Sequence, residues 1–137
     1  MSTDEYVASV NQQLERLLVY ETVFKEYVHT CRNIEKGNCY ASESLARLRD
    51  YYSKNVLRFN RFVAQCEKLQ APRGYAAFNQ ALISGLEDIR AGILMTLSAI
   101  HDNGVEHPRF EQGVEEQQQA RAEINEAFAR IEPQAVL

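Results

Sequence analysis

The sequence predicts an all-α fold: an antiparallel up-down-up-down four-helix bundle with long helices. Three observations carry that expectation. Apolar residues recur at alternating steps of three and four along four segments. Turn-forming clusters separate those segments by short connectors, which favour antiparallel neighbours. The alternating apolar and polar runs that a strand-based fold needs do not occur in the sequence. At 137 residues the chain is expected to form a single helical-bundle domain, 1–137, with enough length to bury a core without staples.

The first helix is expected over about 4–34. Val7, Val10, Leu14, Leu17, Phe24, Val28 and Cys31 form a coiled-coil-like heptad seam, with Glu21 filling its gap. Ser2 and Glu5 have the spacing of a capping box. "EKGNCYAS" reads as a turn, with Gly37 and Asn38 suited to a helix end. The second helix is expected over about 42–70, capped by Ser42. Its stripe comprises Leu45, Leu48, Tyr52, Val56, Phe59, Val63, Cys66 and Leu69. "QAPRG" marks the next break, where Pro72 suits a first helical turn.

The third helix is expected over about 74–102, with Tyr75, Leu82, Leu86, Ile89, Ile93 and Ile100 facing inward. "HDNG" supplies its stop, with His101 satisfying terminal carbonyls. His107, just before Pro108, is a candidate cap for the fourth helix. That helix is expected over about 108–131, on Phe110, Val114, Ala120, Ile124, Ala127, Phe128 and Ile131. Its "EEQQQ" run reads as a wet face, and Pro133 is expected to end it.

Two glycines stand inside the third helix, where each costs about 1 kcal/mol relative to alanine. Phe78, Gly85, Gly92 and Ala99 form one heptad row. Gly85, Gly92 and Ala99 are therefore expected at a close helix contact, within the fold or across a dimer. The alternative is a slot that receives a ligand. Glu21 is the other anomaly, because a bare carboxylate on an apolar seam needs a partner or water. Gln117 and Arg121 on the fourth helix are the candidate partners in an interior polar layer. Asn55 and Asn79 lie at the inward edges of their helices and suit either that layer or its rim.

The chain carries three cysteines, an odd count with no CxxC spacing. Cys31 and Cys66 read as small buried residues, and Cys39 falls in a turn. A reducing cytoplasm is the expected setting. The N-terminus has early acids rather than a signal-peptide core, and no apolar run is long enough for transmembrane association. Neither the Glu-x-x-His of di-iron bundles nor HExxH occurs, and His29, His101 and His107 have no ligand spacing. No cofactor or metal is expected. No motif arranges a nucleophilic triad or a phosphate loop, which weighs against an enzyme.

The strongest surface signal is basic. Arg47, Lys54, Arg61 and Lys68 recur every seven residues, with Arg58 one turn beyond Lys54. They form a ridge roughly 30 Å long. Residues 37–72 hold six basic and three acidic groups, whereas 104–137 hold three basic and seven acidic ones. The net charge of -4 and the lack of interleaved exposed aromatics disfavour nucleic acid and anionic lipid as partners. The expected function is a protein-interaction or self-association module, with a homodimer as one form of it and the ridge steering an acidic partner. The alternative is a small-molecule sensor or enzyme with an interhelical pocket near Glu21 and Gly85 or Gly92.

Overall fold

The structure is a computed structural model that describes residues 2–37 and 44–136. It is an up-down-up-down helical bundle: α1 Thr3–Glu35, α2 Leu45–Glu67, α3 Ala76–Ser98 and α4 His107–Val136. Ser2 Oγ accepts the Glu5 N–H at 3.1 Å and starts α1. Asp4 and Glu5 in its first turn complement the helix dipole. Gly37 stops it with φ of 76°, a left-handed value that glycine adopts without strain.

Cys39 and Ser42 lie outside the described residues. The cap of α2 is Ser44, whose Oγ accepts the Arg47 N–H at 3.1 Å. That helix also stops at Glu67, earlier than its apolar stripe predicts, with Lys68 as its C-cap.

α3 is shorter than expected at both ends. Gly74 has φ of 94°, so the helix begins only after it, and Pro72 sits before the helix rather than in its first turn. Past Ser98 the chain leaves the helix for a tight antiparallel hairpin, β1 Ile100–His101 and β2 Gly104–Val105. Asp102, Asn103 and Gly104 supply the turn chemistry, and Ile100 anchors the hairpin in the core. His101 consequently does not cap α3; its ring meets Glu106 at 3.0 Å. Asp102 ties the turn to Arg49 of α2 at 2.5 Å.

α4 runs through Pro133 instead of ending before it. A proline so near the terminus removes one N–H where the ladder is already finishing, so the helix tolerates it.

The core contains the inward stripes of all four helices, including Leu17, Phe59, Ile89 and Ile124. At the start of α1, Tyr6 is buried and Val7 is 40% exposed, the reverse of the expected seam. Tyr6 packs at a tilt against Tyr75, with centroids 5.5 Å apart, and donates to Asn79 Oδ1 at 2.7 Å. The larger ring with a satisfied hydroxyl takes the inner position.

α1 and α2 meet through aromatic rings. Phe24 packs on Tyr52 and Phe59 at 5.3 and 5.8 Å, and Tyr20 packs on Phe59 at 5.3 Å. Among the described residues no helix is long and apolar enough to cross a membrane.

Candidate binding cleft between α1 and α4

The seam between α3 and α4 is made of small residues. A Cβ built on Gly85 would run into the Ile124 side chain. One built on Gly92 would come within 2.8 Å of the Gly113 carbonyl oxygen. Ala99 is fully buried at the end of the same row. Gly113 is the residue that sequence reasoning missed. A Cβ there would meet the Thr96 hydroxyl and the Gly92 carbonyl. The available signal was a second heptad row, Gly113, Ala120 and Ala127, on the facing helix.

Gln117 belongs to this seam rather than to Glu21. Its Nε2 donates to the Gly113 carbonyl at 3.2 Å and reaches Thr96 Oγ1 at 3.4 Å. Thr96 Oγ1 in turn donates to the Phe110 carbonyl at 3.2 Å. Nearby, the Tyr52 hydroxyl donates to the Ile93 carbonyl at 3.3 Å. Burial raises the Tyr52 phenol above its ordinary value.

On its other side α4 is held away from α1. Two polar latches join the helices at one end. Arg32 Nη2 donates to both carboxylate oxygens of Glu111, at 3.0 and 2.8 Å, and His107 meets Glu35 at 2.6 Å. Further along, Arg121 and Glu21 meet, Nε to Oε1, 3.1 Å apart. A cleft of about 440 Å³ runs between the helices from beside Arg32, past the Glu21–Arg121 contact, to Leu17 and Asn125. Its floor is apolar: Leu17, Phe24, Phe59, Ile89 and Ile93. Lys25, His29 and Arg32 stand along the α1 lip. Gln118, Ala122 and Asn125 stand along the α4 lip. The "EEQQQ" run, read from sequence as wet surface, therefore supplies part of a concave wall. Its volume falls within the range of small-molecule sites, and a few polar groups above an apolar floor are their usual lining.

Glu21 and Arg121 form an imperfect pair. Their side chains are only 18% and 20% exposed. Yet Glu21 Oε1 and Arg121 Nη1 are buried without a hydrogen-bond partner, so the contact is an ion pair with poor hydrogen-bond alignment. Such under-satisfied buried groups are uncommon in folded proteins. Gly85 and Gly92 do not line this cleft; α4 fills the space beside them. Asn79 is taken by Tyr6, and Asn55 Nδ2 donates to the Tyr27 hydroxyl on the α1–α2 side.

The basic residues lie elsewhere. Arg47, Lys54, Arg58 and Arg61 are exposed on α2, and Lys68 is exposed at its C-cap. Half-exposed Tyr51 lies among them, with the Lys54 ammonium 5.8 Å from its ring centroid. Leu57 is 59% exposed beside them.

Cys31 and Cys66 are buried free thiols. Burial, reinforced by Glu35, pushes the Cys31 thiol up to about 11. Burial likewise pushes Cys66 up to about 11. Both thiols therefore stay protonated and unreactive near neutrality. Among the described residues no group of three His, Cys, Asp or Glu side chains is placed to hold a metal ion. No family model, curated protein or solved structure matches the chain.

Proposed function

We propose that the chain is a binding module whose α1–α4 cleft receives a small amphipathic molecule. The observation behind this reading is the cleft itself: about 440 Å³ over an aromatic and aliphatic floor, with charged groups at its lip. Binding there buries ligand surface against side chains already in place, so little ordering opposes it. The test is calorimetric titration of the protein with amphiphiles that share one apolar tail. A saturable response is expected for at least one. Ala122→Trp plugs the mouth from an exposed position and should abolish that response while leaving the helical circular dichroism intact. The reading fails if no member binds, or if the plugged variant binds as well as the parent.

A second reading is favoured by the α2 ridge. Five exposed cations flank Tyr51 and Leu57, giving an acidic protein surface both steering charge and an apolar anchor. A second copy, through the acidic outer side of its α4, is one such surface. Reversing Lys54, Arg58 and Arg61 together to Glu should lower the light-scattering mass of any self-assembly and the salt dependence of partner binding. Unchanged mass and unchanged partner affinity would remove the ridge as a docking face.

A further inference from the structure

We infer that the α1–α4 cleft selects an organic monoanion with an apolar body, and that Arg121 exchanges Glu21 for that anion on binding. The inference rests on the cleft being a ligand site and adds the chemistry of the ligand. The lining carries three permanent cations, Lys25, Arg32 and Arg121, against one carboxylate, Glu21. Arg32 already has a full counter-ion, its Nη2 donating to both oxygens of Glu111. Lys25 has no ion-pair partner among the described residues. Arg121 Nε lies 3.1 Å from Glu21 Oε1, and its buried Nη1 has no hydrogen-bond partner.

A guanidinium in that state has unused donors in a planar fork, the geometry that a carboxylate fits with two parallel bonds. The poorly aligned Glu21 is a weak internal counter-ion and can be displaced. An incoming carboxylate accepts from the freed fork, Lys25 adds a second positive charge beside it, and the tail lies on Phe24, Phe59, Ile89 and Ile93. A neutral head gains only the tail contacts, and a cationic head meets Lys25 and Arg121 as like charges.

The exchange makes the two members of the pair behave oppositely. Removing the charge of Glu21 removes the competitor for Arg121; removing Arg121 removes the anion's partner. Decanoate, decanol and decyltrimethylammonium, all below their micellar concentrations, are titrated calorimetrically into the parent, Glu21→Gln, Arg121→Gln and Lys25→Gln. Decanoate should bind the parent about tenfold more tightly than decanol, as expected for a charge-assisted contact. Glu21→Gln should tighten decanoate about threefold, and Arg121→Gln should weaken it about tenfold and erase its advantage over decanol. Lys25 is exposed, so Lys25→Gln keeps the fold and should weaken decanoate about threefold even if Arg121→Gln proves unstable.

If decanol binds as tightly as decanoate, the ligand site stands and the anion selectivity falls. If Glu21→Gln and Arg121→Gln weaken decanoate alike, the pair is scaffold and the exchange is overturned. If none of the three amphiphiles binds, the ligand-site reading falls with it.

Discussion

Against α3, α4 lies backbone to backbone, with Gly92 facing Gly113 and Ile124 filling the space over Gly85. Against α1, the same helix meets long charged side chains, Arg32 with Glu111, His107 with Glu35 and Glu21 with Arg121, and a cleft of about 440 Å³ remains between the two helices. Overall apolar content does not separate the two sides, since both have Ile and Phe side chains behind them. The difference lies in the residues at the line of closest approach. Glycine and alanine let backbones nearly touch, whereas glutamate, arginine and histidine hold helix axes apart and keep water within reach.

The largest expected effect lies on the tight side. Gly113→Ala puts a methyl against the Gly92 carbonyl and the backbone of Thr96, neither of which can move independently of α3. Overpacking of that kind should cost about 3 kcal/mol in urea denaturation. A stability equal to the parent's would mean that the helices are not in backbone contact.

Next comes an alkaline effect shared by both sides of the core. Cys31, Cys66 and Tyr6 are all raised by burial, the thiols to about 11 and the phenol to about 12. In the unfolded chain the thiols release their protons from about pH 9, while the native state keeps them. The native state thus binds more protons in that window. Stability should be fully present below pH 9 and decline as pH rises through 11, by roughly 3 kcal/mol already at pH 10. Replacing Cys31 and Cys66 together by Ala should flatten the slope in denaturation series at pH 8 and pH 10.

On the open side, a double-mutant cycle of Glu21→Gln and Arg121→Gln should return a coupling of about 1 kcal/mol or less, because the pair is misaligned and partly wet. A coupling above about 3 kcal/mol would mark a tightly locked contact. Smallest of all, Ala122→Val adds methyl groups on the cleft lip and should change stability by less than about 0.5 kcal/mol. Set beside Gly113→Ala, it gives a direct measure of how differently the two flanks of α4 accept added carbon.

The sequence made the helical stripes legible because each is a property of one segment. Leu17, Phe59, Ile89 and Ile124 could be placed inside from spacing alone, and all four are buried. Helix ends were less legible. Gly74 and the Asp102–Gly104 turn override apolar periodicity that would otherwise carry α3 further. Choices between adjacent residues were also hidden: Tyr6 displaces Val7 because of Tyr75 and Asn79, both far along the chain.

The cleft was the least readable feature. Arg121 was identifiable as a partner for Glu21, but the gap beside them depends on how two polar rows hold two helices apart. Neither row declares that by itself. Gln117 reads from sequence as a second candidate partner of Glu21 for the same reason; its competing partners, Thr96 and the Gly113 carbonyl, emerge only when α3 and α4 are set side by side.

The hairpin between Ser98 and His107 has a consequence for how this chain can vary in length. It fixes which turn of α4 lies opposite which turn of α3, and so puts Gly113 against Gly92. If the hairpin kept its pairing and α4 took up the extra residue, one insertion there would advance α4 by about 1.5 Å and rotate it by about 100°. The glycine would leave the seam and a bulkier neighbour would swing in. Loop length at this position is consequently as much a determinant of the interior as any buried side chain, and natural deletions or insertions should be purged here.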